Sequence, residues 1–416
     1  MQGGEILKKF LKILTASAAT LGLALAIAVC TADICTPDSY TVAEGGSLRW
    51  MSGMFSVVRE GPEGVSVSME SGYPKSYSGK LMIYNMVPVK TVQVNVVDNA
   101  GVVLCGTPFG IKMFTNGVVV VGLADIQTDT GMVNPATEAG VKVGDVISSI
   151  NGTGVATNTD VEKAVENCGG GSLRFTVQRA GQKLSIVVQP VLAEADGQYK
   201  VGLWVRDSTA GIGTLTYYDP DTGCFAGLGH GICDSDTGQL MPLLSGDIVP
   251  VTINGVTKGE KGTPGELRGY FADSGSIGTL WSNSACGVYG SMNSPVRGTS
   301  LKIAMKQDIK TGPVKILTTI NGNAPKYYDA EIEKIDYREN VQSKNFVLHI
   351  TDGNLLSQTG GIVQGMSGSP VVQNGKMVGA VTHVFVNDPT RGYGIFAECM
   401  LQQSRAVAAQ YNQRAS

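Results

Sequence analysis

Short apolar runs bounded by glycine-rich turns, recurring about every ten residues along much of the chain, constrain its fold more than any other feature. Glycine supplies 55 of the 416 residues, about 13% against a usual ~7%, while charged residues make up 16% against a usual ~25%. Glycine weakens helices and serves turns, so the balance favours turn-rich β structure. The length leads one to expect two or three folded units. With 32 Lys and Arg against 35 Asp and Glu, the net charge of -3 offers no broad positive field for a phosphate backbone. Nucleic acid is therefore not an expected partner.

The N-terminus departs from this pattern. Lys8, Lys9 and Lys12 precede an apolar run from Ile13 to Val29, interrupted only by Thr15, Ser17, Thr20 and Gly22. Such a run is an export signal or a single membrane anchor, and the basic flank keeps the N-terminus inside and the remainder outside. Residues 1–35 are read as this segment. Cys30 follows bulky Ile-Ala-Val, which is poor for lipid attachment. The eight cysteines are scattered without a CxxC pair, so no zinc site is spelled out, no metal or cofactor is expected, and the thiols are read as mostly unpaired.

Residues 36–100 alternate β-type runs with the turn clusters Glu44-Gly45-Gly46 and Glu60-Gly61-Pro62-Glu63-Gly64, and period-2 patterning in the segment from Leu81 predicts a small β module. Over 101–192 the pattern becomes strand, helix, strand. Asn134 and Thr137 open a short helix, Gly140 closes it, Gly144-Asp145 turns into the apolar run Val146–Ile150, and Thr159-Asp160 opens a second helix ending at Cys168. This order, centred on AGVKVGDVISSING, closely resembles a PDZ domain. The resemblance implies a site for peptide tails, with the carboxylate-binding loop mapping to Thr107, Pro108, Phe109, Gly110 and Ile111.

From about 195 to 416, short strands at regular spacing predict a barrel or sandwich. Two motifs there carry chemistry. GMSGSP, Gly365 to Pro370, offers a hydroxyl on a tight turn with small neighbours, as a serine hydrolase needs for its oxyanion-binding N–H groups. It resembles the nucleophile turn of chymotrypsin-like proteases, which places Ser367 at the nucleophile, gives Gly365 and Ser367 the oxyanion-hole N–H groups and sets Met366 where that family has aspartate. Ser369 is the alternative hydroxyl. The chain has three histidines. His349 lies in the apolar strand NFVLHI and His383 on the strand after the nucleophile turn, leaving His230, in AGLGHGICD and ahead of the serine, as the general base.

Taken with the anchor, the β module and IVQGMSGSPVVQNGKMVGAVTHVFVNDPTRGYGIF, these features resemble the stage IV sporulation protein B (SpoIVB) peptidase family. The resemblance implies a mainly β chain: a transmembrane anchor, a small β module, a PDZ domain and a chymotrypsin-like double β-barrel serine protease domain. HtrA-type proteases carry their PDZ domain after the protease instead. It further implies an endopeptidase that cuts itself and a membrane-bound regulatory protein of an intramembrane protease, in the space between forespore and mother cell. The family's acidic triad member falls on Asp352, with Asp273 as rival. The alternative from another class is a non-catalytic, membrane-anchored PDZ adaptor on a degenerate barrel.

Overall fold

A computed structural model describes residues 2–43, 48–50, 53–59, 75–97, 101–272, 275–338 and 341–415. The turn clusters at 44–46 and 60–64, and Asp273, lie outside the described residues. Helix α1 (Gln2–Cys35) contains an apolar stretch, Lys12–Ile34, of 23 residues and mean hydropathy 2.2, exposed along most of its length, with Ala32 near its end buried against the residues that follow. At about 1.5 Å per residue it is long enough to cross a bilayer core of about 30 Å, as a membrane anchor or a signal sequence does.

The residues that follow form a five-stranded sheet ordered 39–43, 87–97, 75–83, 55–59, 49–50, the first pair parallel. Val92 and Val94 alternate inward with Tyr40, Trp50, Phe55 and Leu81 to make its core. This module is keyed to the C-terminal helix. Thr41 donates to buried Glu398, whose other oxygen accepts the Lys306 N–H at 2.8 Å. Gln402 and Gln307 donate to the Thr41 hydroxyl and carbonyl. A carboxylate buried with two hydrogen-bond partners of this kind is costly to uncover.

The peptidase strands, in chain order, are β1 (Pro108–Leu123), β2 (Leu203–Asp219), β3 (Cys224–Gly227), β4 (Leu243–Thr257), β5 (Glu266–Phe271), β6 (Gly278–Ser284), β7 (Gly287–Met292), β8 (Gly312–Thr318), β9 (Lys326–Ile335), β10 (Phe346–Ile350), β11 (Pro370–Gln373), β12 (Lys376–Phe385) and β13 (Asp388–Phe396). Two six-stranded barrels result. The first runs β1-β4-β6-β7-β3-β2 and closes by β2 pairing with β1, and the second runs β8-β9-β10-β13-β12-β11. Helix α2 (Asn158–Glu166) belongs to the PDZ unit, α3 (Gly353–Thr359) leads towards the Gly365 turn, and α4 (Ala397–Ala415) packs across both barrels.

The PDZ unit grows out of the first barrel. Val118 and Val119, late in β1, pair with Val146–Ile147, which pairs in turn with Leu173–Arg179 and so with Gln182–Val188. Asn134 opens the short helix as predicted, accepting the Thr137 N–H, while α2, expected from Thr159-Asp160, begins at Asn158 because Thr157 with Asp160 forms a capping box. Inside, Asp145 is held by Arg179 at 2.6 and 2.7 Å.

One expectation fails here. Thr107 to Ile111 is not a carboxylate loop: Phe109 is 1% exposed against Phe225, Ile111 is equally buried, and both sides of the strand are paired, with Gly213 and Pro250 opposite Phe109. The first half of β1 is a central barrel strand, because its apolar residues alternate with Lys112 and Phe114 on a pleated face closed by two neighbours. Residues 101–116 thus join the peptidase sheet, ahead of the expected boundary, and the PDZ unit is set into the barrel between β1 and β2 instead of preceding it.

Replacement of Phe109 by alanine therefore destabilises the fold by about 3–5 kcal/mol, read as a shift in urea midpoint at unchanged slope. A variant of wild-type stability with altered peptide binding would return Phe109 to a groove.

Candidate active site

The Gly365–Pro370 turn joins α3 to β11. Met366 is fully buried and anchors it, in the place where the resembling proteases carry aspartate. Gly365 and Gly368 both have φ of +95°, a conformation suited to glycine, and a Cβ on Gly368 would lie 2.0 Å from the Thr214 carbonyl oxygen. The turn is thus pressed against β2 of the other barrel.

Its backbone hydrogen bonds can be counted completely. The Gln364 N–H donates to Gly265 and the Met366 N–H to Val363. The carbonyl of Gln364 accepts from Leu267, that of Met366 from Ser369 and that of Ser367 from the Thr214 N–H at 2.9 Å. The Gly365 carbonyl accepts the Thr214 hydroxyl at 2.8 Å. Over residues 364–367 only the N–H groups of Gly365 and Ser367 keep no acceptor among the described residues.

Ser367 is partly exposed, and its Oγ donates to the Thr382 carbonyl at 2.6 Å. Ser369 is buried with its hydroxyl on Thr318 Oγ1 at 2.8 Å, so it is spent inside the second barrel. The histidine loop lies against the same elements. Leu228 and Gly229 take positive φ, the Leu228 N–H donates to Thr214 at 3.3 Å, and a Cβ on Gly229 would be 3.0 Å from the Thr382 methyl.

His230 Nδ1 lies 2.9 Å from the Gly231 carbonyl, which fixes it as the N–H tautomer at that atom and leaves Nε2 without a described partner. Burial lowers the His230 pKa, so the ring is neutral at pH 7 and able to take a proton. His383, next to Thr382 on β12, packs against it with ring centroids 4.7 Å apart. No described carboxylate bonds either ring.

Asp352 is not brought to His230. It is the N-cap of α3, accepting from Asn354 and Leu355 at 3.0 Å and from the Asp329 N–H at 3.2 Å, and the Leu355 bond leads the causes that lower its pKa. It lies past the end of β10, while Ser343, which accepts the Thr382 hydroxyl, precedes that strand's start. The sequence Asp-Gly-Asn-Leu-Leu opens a helix by itself, and this local demand holds the carboxylate there. His349 binds Glu333, beside Arg391, on the surface of the second barrel.

A cleft of about 540 Å³ opens between α2 and the start of β2, lined by Val161, Val165, Tyr199, Leu203 and Trp204. Residues 203–206 of β2 pair with β1 on one edge only, and Gly202 turns the chain with φ of +75°. The free edge of residues 203–206 thus borders this cleft. Its sequence signal is the run VGLWV after the last PDZ strand, not a loop ahead of the domain.

Two barrels meeting at a Gly-Met-Ser-Gly turn and a histidine loop, with a PDZ unit carried on the first, define a PDZ-bearing serine peptidase. Residues 197–401 match SpoIVB peptidase S55 and residues 134–179 a PDZ domain, so the chain carries a region of the SpoIVB peptidase S55 type together with a PDZ domain. A Lactococcus lactis protein, LL2128, named for a zinc metalloprotease, is 30% identical over 131 residues; the match covers 32% of this chain and spans only about a quarter, 27%, of that relative. Two solved structures are similar at a TM-score of 0.29: an inactive serine-to-alanine mutant of Rv3671c from M. tuberculosis H37Rv (13% identical, 48% of this chain and 82% of that one) and the inactive form of the Rv3671c protease (15%, 47% and 83%).

The placement of Asp352 separates two roles. Asp352→Asn keeps the cap and leaves activity within about threefold, and Asp352→Ala costs about 0.5–2 kcal/mol of stability; loss of about 10⁴-fold in Asp352→Asn would instead mark an acid that fixes the histidine tautomer. The paired imidazoles also set a pH dependence. Burial, then His230 and Lys344, push the His383 pKa down to about 4, while the unfolded chain titrates near 6.5. The unfolded state binds more protons between these values, so stability is full above about 6.5 and falls as pH drops towards 4. In melts between pH 7.5 and 4.5, His383→Gln flattens this slope.

Proposed function

We propose that the chain is a serine endopeptidase in which Ser367 is the nucleophile, His230 its general base and the N–H groups of Gly365 and Ser367 the oxyanion hole. The observation that carries this reading is the hydrogen-bond count of the turn: the N–H groups of Gly365 and Ser367 are left open beside a partly exposed serine while the other backbone groups of residues 364–367 are committed. Two open N–H groups flanking one part-buried serine on a turn whose other groups are committed are what a developing oxyanion needs.

In the reaction, the scissile carbonyl oxygen enters between these two donors and Ser367 Oγ leaves the Thr382 carbonyl by rotation about χ1. His230 Nε2 takes its proton as the Oγ–carbon bond forms, and the Gly231 carbonyl holds Nδ1–H. The imidazolium then protonates the leaving amine, the amide bond breaks, and water releases the acyl group with His230 again as base. A neutral imidazole in the resting state suits it to the first step.

The PDZ cleft holds an extended peptide tail against β2. Extending the SpoIVB likeness, the substrates are the chain itself and a membrane-bound regulatory protein, encountered beside the membrane that α1 enters, between forespore and mother cell, with sporulation signalling as the outcome. The competing adaptor reading draws on the Ser367 hydroxyl resting on Thr382 with no carboxylate among the described residues on His230.

The test is fluorophosphonate labelling of the detergent-solubilised full chain. Wild type labels at Ser367, and Ser367→Ala does not label and loses roughly 10⁴-fold or more in peptide cleavage. Absence of labelling in folded wild type decides for the adaptor.

A further inference from the structure

We propose that Thr214 is a positioning residue of the peptidase: its hydroxyl selects the peptide orientation that opens the oxyanion hole. The inference rests on the reading of Gly365 and Ser367 given above and adds a side chain from the other barrel to it.

Thr214 sits in β2 and is 1% exposed. Three of its polar groups reach the two catalytic loops. Its N–H donates to Ser367 O, its hydroxyl donates to Gly365 O, and its carbonyl accepts the Leu228 N–H ahead of His230. The first and third are backbone bonds available to any residue at this position except proline. The second needs a hydroxyl.

What that hydroxyl fixes follows from peptide geometry. A trans peptide holds its C=O and the next N–H in opposite directions, so anchoring Gly365 O on Thr214 turns the Met366 N–H inward, where it meets Val363 O at 3.1 Å. On the preceding peptide, Leu267 anchors Gln364 O at 2.9 Å and turns the Gly365 N–H the opposite way. Gly365 lies between the two anchored peptides with φ of +95° and no side chain to resist rotation. Without the hydroxyl, Gly365 O is a carbonyl beside a buried methyl group, and turning that peptide towards the open side relieves it. The turned carbonyl would occupy the space meant for the oxyanion.

The residue type is discriminating. Valine matches threonine in shape and in β propensity and lacks only the hydroxyl, while serine retains the hydroxyl. Both variants in the full chain are followed by fluorophosphonate labelling at a series of probe concentrations, separating the saturating rate from the half-saturating concentration, with thermal melts alongside. Phosphonylation develops negative charge on oxygen at the same site. Thr214→Val is expected to lower the saturating rate by about 10- to 100-fold, within the range for loss of one oxyanion donor, with half-saturation changed less than about twofold and the pH profile unmoved. Thr214→Ser restores the rate to within about threefold of wild type.

A wild-type rate in Thr214→Val overturns the proposal. So does a Thr214→Ser variant as slow as Thr214→Val, because that ties the loss to packing of the methyl group. Ser367→Ala run in parallel keeps the two readings apart: labelling that persists there removes the nucleophile assignment itself, whereas its loss beside a fully active Thr214→Val removes only the role of Thr214.

Discussion

The antiparallel pairing of β1 with β2 is the constraint on which the other parts depend. It runs from Pro108 opposite Thr214 to Leu123 opposite Leu203. At the Pro108 end it closes the first barrel, and past a bulge at Thr115 and Gly117 it becomes the floor of the PDZ unit. Thr115 bonds across this bulge to both Gly117 and Asp207, and Asp207 in turn accepts the Asn158 N–H at the start of α2. Arg206 pairs with Asp234 and Asp236 in the turn that follows His230. A single strand therefore touches the peptide cleft, the histidine loop and the nucleophile turn.

Features that a short stretch of chain decides were legible in advance. The short helix opened by Asn134, the turn at Gly144 and the placement of Ser367 on a glycine-flanked turn all follow from residues within a few positions of one another, whereas α2 starts ahead of Thr159-Asp160 because Thr157 takes the cap. The apolar run of α1 was equally plain, since hydropathy alone defines it. The burial of Ser369 was not readable, because its partner Thr318 is on a distant strand.

The misreadings share a cause: each involved a segment with two uses. The stretch through Phe109 has the glycine and apolar residues of a binding loop, and it also has the alternation of a barrel strand, which prevails because two neighbours bury it on both edges. Asp352 has the charge wanted for a triad and the position wanted for a helix cap, and the cap offers its carboxylate three backbone N–H groups close at hand. Sequence order placed the PDZ unit before the peptidase, but only pairing in space could reveal that strands from both sides of it close one barrel.

That topology makes the PDZ unit, in connectivity, an enlarged hairpin loop. A domain on a flexible linker samples a sphere around its tether, and its encounters with the rest of the molecule are governed by linker length. A domain carried on two adjacent hydrogen-bonded strands has no such freedom. Its softest motion is the twist of the two-stranded ribbon about its own length, so a peptide lying in the cleft keeps a nearly fixed heading relative to the scissile site. On the proposed reading, the cleft would act less as a tether that raises local concentration than as a jig that sets from which direction the polypeptide approaches.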